Sequence, residues 1–315
     1  MKKKIFILLL WLISILITPF IGKISINIFN LSPLEKKILL NLRIPRMILS
    51  IIGGGNLAVS GYLLQTIFNN PLATPYTLGI SAGASLGFLI TAVWGISSTS
   101  GHLAAFAGGI ASVTIAYFIS RPLLSRESLI LAGIVINVIF SSIILLIYYI
   151  APRGVIIEIL HWIMGNITVQ PITSLIYISI VSMVIIIILW LFGREIDILS
   201  LGREETISLG INYDLIFSSV VVTATLLTST IVAITGPIGF VGLIVPHLLR
   251  NGGFRRAREA IIFNYFAGGI ILSLSDALSR VILLSSELPV GIITAIMGGI
   301  FLLWIIKKAS HNGLA

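Results

Sequence analysis

Residues 172–193 read ITSLIYISIVSMVIIIILWLFG, a run with no charged side chain anywhere in it. A helix needs about 20 mostly apolar residues to cross the hydrocarbon core of a bilayer, and this run is long enough. Nine more apolar runs lie near 5–22, 47–67, 76–95, 102–120, 128–150, 215–235, 237–250, 260–284 and 290–306. The run at 237–250 is short for a square crossing. Ten spans predict an all-α integral membrane protein. The longest polar stretches, about 23–46 and 194–214, are too short to bury a core of their own. Residues 1–315 therefore read as one transmembrane domain. Composition agrees, with 57% hydrophobic and 10% charged residues and a mean hydropathy of +1.12, where a soluble domain has about 25% charged.

The net charge of +9 would suit nucleic acid if it were clustered on one surface. Instead the basic residues stand at the ends of apolar runs, where they anchor and orient a membrane protein. Both ends of the chain are basic, at Lys2, Lys3 and Lys4 and at Lys307 and Lys308. Both termini on the cytoplasmic side require an even number of spans, in agreement with ten. That threading places 13 of the 20 Lys and Arg residues inside and seven outside. The outer group from Lys36 to Arg46 runs against the rule. The first run, behind Lys2–Lys4, mimics a signal peptide but lacks a small-x-small cleavage pattern, and it reads as an uncleaved span.

Absent features narrow the chemistry. There is no cysteine, and the four histidines, His102, His161, His247 and His311, never pair at i, i+4. Thiol chemistry and a helical zinc site are excluded. No nucleophile with a base beside it is offered, which argues against an intramembrane enzyme. No G-x-x-x-x-G-K-[ST] loop is present to cradle nucleotide phosphates. An ion-coupled transporter places acids at membrane depth. Only Asp276 is a clear candidate, and Arg280 one turn later can neutralise it. A transporter so built draws its energy from a partner and needs a surface to dock it.

Several stretches could serve such docking. Arg43-Ile44-Pro45-Arg46 precedes the second span, with proline suited to a first helical turn. Its arginines are either anchors that snorkel to the interface or a cationic dock for an acidic partner. The segment from Ile198 to Ile211, ILSLGREETISLGI, places Leu201, Ile207, Leu209 and Ile211 among charges. It reads either as a solvated linker or as a short amphipathic helix fitted to a partner's groove. Residues 236–247, GPIGFVGLIVPH, break helix regularity at membrane depth, which is tolerated where protein or a water-lined cavity surrounds the backbone. Stripes of small residues, such as Gly53-Gly54-Gly55 with Ala58 and Gly61, allow helices to approach closely.

Taken in order, the Arg43–Arg46 cluster, the Asn70-Pro71-Leu72-Ala73 turn, Leu131-Ala132-Gly133, Trp162-Ile163-Met164-Gly165, Leu201-Gly202-x-Glu204 through Leu209-Gly210, Gly236–Arg250 and Glu287–Gly291 resemble the FecCD-type permeases of ABC importers for ferric siderophores, haem and cobalamin. The resemblance covers about residue 40 to residue 308. It implies a type II ABC importer permease of about ten spans, paired with a second permease subunit as a homo- or heterodimer. It also implies two cytoplasmic ATPase subunits that use ATP and Mg, and an extracytoplasmic substrate-binding protein. The chain itself would bind no cofactor and no nucleic acid, and would sit in the bacterial cytoplasmic membrane surrounded by lipid. By resemblance, Arg43, Arg46 and Arg280 dock the binding protein. Leu199, Leu201, Gly202, Glu204, Glu205, Leu209 and Gly210 couple to the ATPase. Ser125, Arg126 and Glu127 fall where the family narrows the path with small hydroxyl residues, and this chain departs from that pattern at Arg126 and Glu127. The expected cargo is an iron chelate, a ferric siderophore or haem, with cobalamin as the alternative.

Overall fold

The computed structural model describes residues 2–24, 26, 31–96, 98–120, 126–283 and 286–311, and among these all the regular secondary structure is helical, with no strand. The long helices are α1 (Lys2–Ile17), α3 (Ile44–Ile67), α5 (Ser98–Ser120), α6 (Arg126–Ile150), α8 (Ile172–Leu191), α11 (Tyr213–Thr235), α13 (Ala257–Ser279) and α14 (Val290–His311). Shorter ones are α2 (Pro33–Ile38), α4 (Ile80–Val93), α7 (Arg153–Ile163), α9 (Gly193–Leu199), α10 (Arg203–Ser208) and α12 (Val241–Asn251). Among the described residues seven helices are long and apolar enough to cross a membrane, and α4 and the Val290–Ile305 part of α14 are shorter apolar segments. With α12 these account for the ten expected runs.

The central helix is α3. Nearly every residue from Leu49 to Ile67 is buried, because the stretch alternates bulky and small side chains so that neighbours can close on every side. A Cβ on Gly54 would overlap the carbonyl oxygen of Gly268 in α13, and a Cβ on Gly268 would overlap that of Gly54. Only glycine at both positions lets the two backbones touch, and dispersion over that contact replaces the hydrophobic drive that lipid does not provide. Polar pairs add to it. Asn56 Nδ2 donates to Ser182 Oγ of α8 at 2.7 Å, Thr228 Oγ1 of α11 to Ser60 Oγ at 2.9 Å, and Gln65 Nε2 to the Gly242 carbonyl of α12 at 3.1 Å. In contrast α1, α6, α8 and α14 turn large apolar side chains outward, among them Leu16, Leu145, Tyr177 and Leu303. In water that surface would drive aggregation; in a bilayer it is the solvated face.

The run at 237–250 does not form a full span. Residues 236–240 are extended or turned, and α12 covers about 16 Å at 1.5 Å per residue, roughly half of a bilayer core. Three distant stretches meet over that gap. Gly291 N donates to the Gly165 carbonyl at 3.0 Å, and Asn166 N donates to the Thr235 carbonyl at 2.7 Å. Glycines are required there: a Cβ on Gly165 would strike the Pro237 carbonyl, one on Gly236 that of Trp162, and one on Gly291 that of Met164. Gly165 and Gly236 also hold φ of 71° and 68°, a region costly for other residues. The broken backbone at membrane depth is thus surrounded by protein.

Chain direction fixes the two ends of the bundle. Lys3 Nζ reaches the Gly252 carbonyl at 3.1 Å and Lys4 pairs with Glu259 at 2.8 Å, so the start of α1 lies with the end of α12 and the start of α13. Phe240 abuts Gly298, and His247 packs edge-on to Phe301 at 5.7 Å. Hence α14 runs parallel to α12, and its end lies at the same end of the bundle as the start of α1. The segment 193–214 is at this same end, whereas residues 18–24, α2 and the start of α14 are at the other.

Candidate functional site

At the end that carries α2, a capping box between Ser32 and Glu35 starts that helix. A single wide turn, Leu39–Arg43, joins it to α3. This brings Arg43 and Arg46 beside the last turn of α13. Arg46 Nε donates to Asp276 Oδ1 at 2.8 Å and Arg46 Nη1 to Glu287 Oε2 at 2.5 Å. Arg280 Nη2 lies 3.3 Å from Asp276 Oδ2 and donates to the Thr18 carbonyl at 3.0 Å. Arg43 donates to the carbonyls of Pro19, Phe20 and Ile24 at 3.1, 3.2 and 2.6 Å.

The three arginines expected at an outer dock are therefore together, but they are not bare charges on a rim. Arg43 and Arg280 are 7% and 4% exposed. They hold residues 18–24 and the end of α13 against α3. Arg46 Nη2 and Arg280 Nη1 find no acceptor among the described residues. With Lys23 and Glu287, the three arginines line a cleft of about 360 Å³. Four cations there face two acids, Asp276 and Glu287, so the cleft is positive. Sequence reasoning missed Glu287 as a member, because it saw that residue only as the opening of the last span.

At the opposite end, the expected single amphipathic helix is instead two short ones, α9 and α10, joined at Gly202, whose φ of 136° is open to glycine alone. Leu199 is fully buried and anchors the pair to the bundle, while Leu201, Ile207 and Leu209 are 55–60% exposed. Thr206 Oγ1 donates to the Gly202 carbonyl at 2.5 Å, and Arg203 pairs with Asp214 at 3.0 Å. Gly210, at φ 78°, ends α10, with the Ile211 N–H returning to the Thr206 carbonyl at 3.2 Å. Glu204 and Glu205 point outward. The result is a rigid turn that offers three apolar side chains and two acids. Asp197 of α9 accepts the Ala257 N–H at 2.8 Å. Burial pushes its carboxyl above the usual range, opposed by that hydrogen bond and by Arg256 and Arg258.

Of the remaining candidates, Ser125 lies outside the described residues. Arg126 opens α6, and Glu127 is an exposed acid in its first turn, where the helix dipole favours it. Among the described residues no group of three His, Cys, Asp or Glu side chains could hold a metal. The helix α7 was not expected. Its eleven residues are too few to read as a span, yet Ile159 is buried against Leu89 and Ile144, and Trp162 stacks on Phe88 at 4.3 Å.

A many-span helical bundle with a rigid apolar turn at one end, a charged cleft at the other and no nucleotide loop defines a membrane permease driven by another chain. The sequence profile of the FecCD transport family matches residues 6–308, and the chain belongs to that family. It is 33% identical over 317 residues to the hemin transport system permease protein HmuU of Yersinia pestis, covering 96% of this chain and 94% of that one. It is 32% identical over 279 residues to the vitamin B12 import system permease protein BtuC of Yersinia pseudotuberculosis, covering 85% and 81%. A solved metal-chelate type ABC transporter in an inward-facing conformation superposes with a TM-score of 0.91 at 27% identity, covering 98% of this chain and all of that one. The chain is thus the permease subunit of an ABC importer and a multi-pass protein of the bacterial inner membrane. It works with a partner permease and an ATPase, and is not itself an enzyme, since ATP is hydrolysed on that separate subunit.

Proposed function

We propose that this permease imports an iron chelate, haem or a ferric siderophore, across the cytoplasmic membrane. The observation that carries the reading is the match to the haem permease, which runs nearly end to end on both chains, together with the fold shared with a metal-chelate transporter. Cobalamin is the second reading, favoured by the B12 permease relative at nearly the same identity. The test is reconstitution of the permease with its ATPase and binding protein in liposomes, with haem, a ferric siderophore and cobalamin supplied in turn. Stimulation of ATP hydrolysis and uptake by cobalamin alone overturns the iron reading.

In this reading the end that carries Lys2–Lys4 and α9–α10 is cytoplasmic, as are both termini, and the arginine cleft faces outward. A soluble binding protein docks there. A carboxylate from it enters the cleft over Arg43, Arg46 and Arg280 and answers its excess positive charge. Glu287 competes with that carboxylate for Arg46. Glu287→Gln therefore speeds association of the binding protein and steepens its dependence on ionic strength, as charge pairs at interfaces do. Slower association in the variant rules out the cleft as the dock. The exposed Leu201, Ile207 and Leu209 seat in a groove of the ATPase, with Glu204 and Glu205 at its rim. Arg126 and Glu127, at the start of α6, are assigned to the cytoplasmic mouth of the path.

A further inference from the structure

A second cleft opens at the inner end of the bundle, beside α9. It measures about 670 Å³. One wall is the end of α3 and the turn after it, where Tyr62, Gln65, Thr66 and Asn69 present polar groups to the cleft. The second wall is Asp197 and Ser200 of the α9–α10 segment. The third is the last turn of α12 and the loop that follows, with Arg250 half-buried and Arg255 exposed.

Two contacts pin the cleft to the coupling segment. Asn69 holds φ of 48°, an uncommon conformation for a residue with a side chain, and donates from Nδ2 to the Ser200 carbonyl at 3.0 Å. Such strain persists where the surroundings hold it and gathers at functional sites. Asp197 caps α13 through Ala257. The cleft contains one acid and two arginines. The acid already accepts a backbone N–H and is faced by Arg256 and Arg258. Arg250 and Arg255 make no ion pair among the described residues. A cleft with unanswered positive charge and hydrogen-bonding walls suits an acidic peptide segment.

We propose that this cleft receives an acidic segment of the ATPase subunit, as a second contact beside the apolar turn at Leu201–Leu209. The proposal rests on the reading of this end as cytoplasmic. Three features select the ATPase as occupant. The cleft is continuous with the segment assigned to the ATPase, since Asp197 and Ser200 form its wall. It carries the charge complementary to an acidic segment. None of its lining residues belongs to the lipid-facing α1, α6, α8 or α14, so an acyl chain has no apolar wall to follow beside a headgroup bound there.

The experiment measures the affinity of the purified ATPase subunit for the permease in nanodiscs of phosphatidylcholine alone and of phosphatidylcholine with phosphatidylglycerol. In both lipids Arg250→Gln with Arg255→Gln is expected to weaken binding about tenfold at low salt and to flatten its salt dependence. The paired lysine substitutions keep the charge and retain most of the affinity, which separates charge from misfolding. A double glutamine variant that binds like the wild type in phosphatidylcholine overturns the proposal. A loss confined to phosphatidylglycerol also overturns it and assigns the cleft to anionic lipid headgroups. Leu201→Ser with Leu209→Ser serves as the reference. If it weakens ATPase binding while the arginine variant does not, only the second contact is wrong. If neither does, the assignment of this end to the ATPase falls as well.

Discussion

The buried carboxylate of Asp276 gives a sharp test, because it shares Arg46 with Glu287, an acid that is far more exposed. The Asp276 and Arg46 side chains are 1% and 11% exposed and meet at 2.8 Å, whereas Glu287 is 44% exposed. Losing one partner of a buried pair costs about 3–5 kcal/mol, because the other charge is left in a medium that solvates it poorly. An exposed pair contributes about 0–1 kcal/mol. In Arg46→Ala, Asp276 keeps Arg280, but that contact is longer, at 3.3 Å, and its Oδ2 forms no hydrogen bond among the described residues. The loss should therefore fall at the lower end, about 3 kcal/mol. Two double-mutant cycles resolve it. One combines Arg46→Ala with Asp276→Asn and the other combines it with Glu287→Gln, with unfolding titrated by SDS in mixed micelles. The expected coupling is about 2–3 kcal/mol for the first and below about 1 kcal/mol for the second. A coupling to Glu287 equal to or above that to Asp276 would refute the argument that burial decides the strength of this cluster.

Other expectations follow from single contacts. Gly54→Val should abolish the folded, detergent-stable protein, because the added carbons meet the Gly268 backbone rather than a side chain that could move. Recovery of wild-type yield and thermal stability would show that α3 and α13 can separate without loss. Since the chain has no native cysteine, Leu34→Cys on α2 should react with an impermeant maleimide in intact cells. Leu209→Cys should react only after permeabilisation, and the reverse pattern would invert the topology. The purified permease should bind no ATP by equilibrium dialysis and hydrolyse none until the ATPase subunit is added. Reversing Arg43 to Glu should cost stability as well as docking, because its three carbonyl acceptors would then face a carboxylate; loss of docking alone with unchanged melting would assign it a purely surface role.

The helices were legible because lipid imposes a simple rule. A backbone in hydrocarbon must satisfy its own hydrogen bonds, so an apolar run of spanning length is a helix. This placed nine of the elements within a few residues, and the broken helix regularity of 236–247 was visible from its two prolines and three glycines. The same rule hid α7. Eleven residues cannot cross, and nothing local says that Ile159 and Trp162 find partners on α4. It also concealed the joint between α9 and α10, where Gly202 allows a bend that no periodicity records.

By itself the sequence determined the solvent, the class of fold and the family, since hydropathy, the missing phosphate loop and the ordered motifs are properties of the chain read along its length. It also named the residues of both ends. Only the tertiary structure decided their state. Arg43 and Arg280 carry the same charge in any conformation, but whether that charge is offered to a partner or consumed by Thr18, Pro19, Phe20 and Ile24 carbonyls depends on how residues 18–24 fold back on α3. Arg250 and Arg255, unremarkable in the sequence, are left without acids because α9 turns its one nearby carboxylate toward the start of α13. Charge is a local property and its availability is not, because solvation and pairing are set by neighbours hundreds of residues away along the chain.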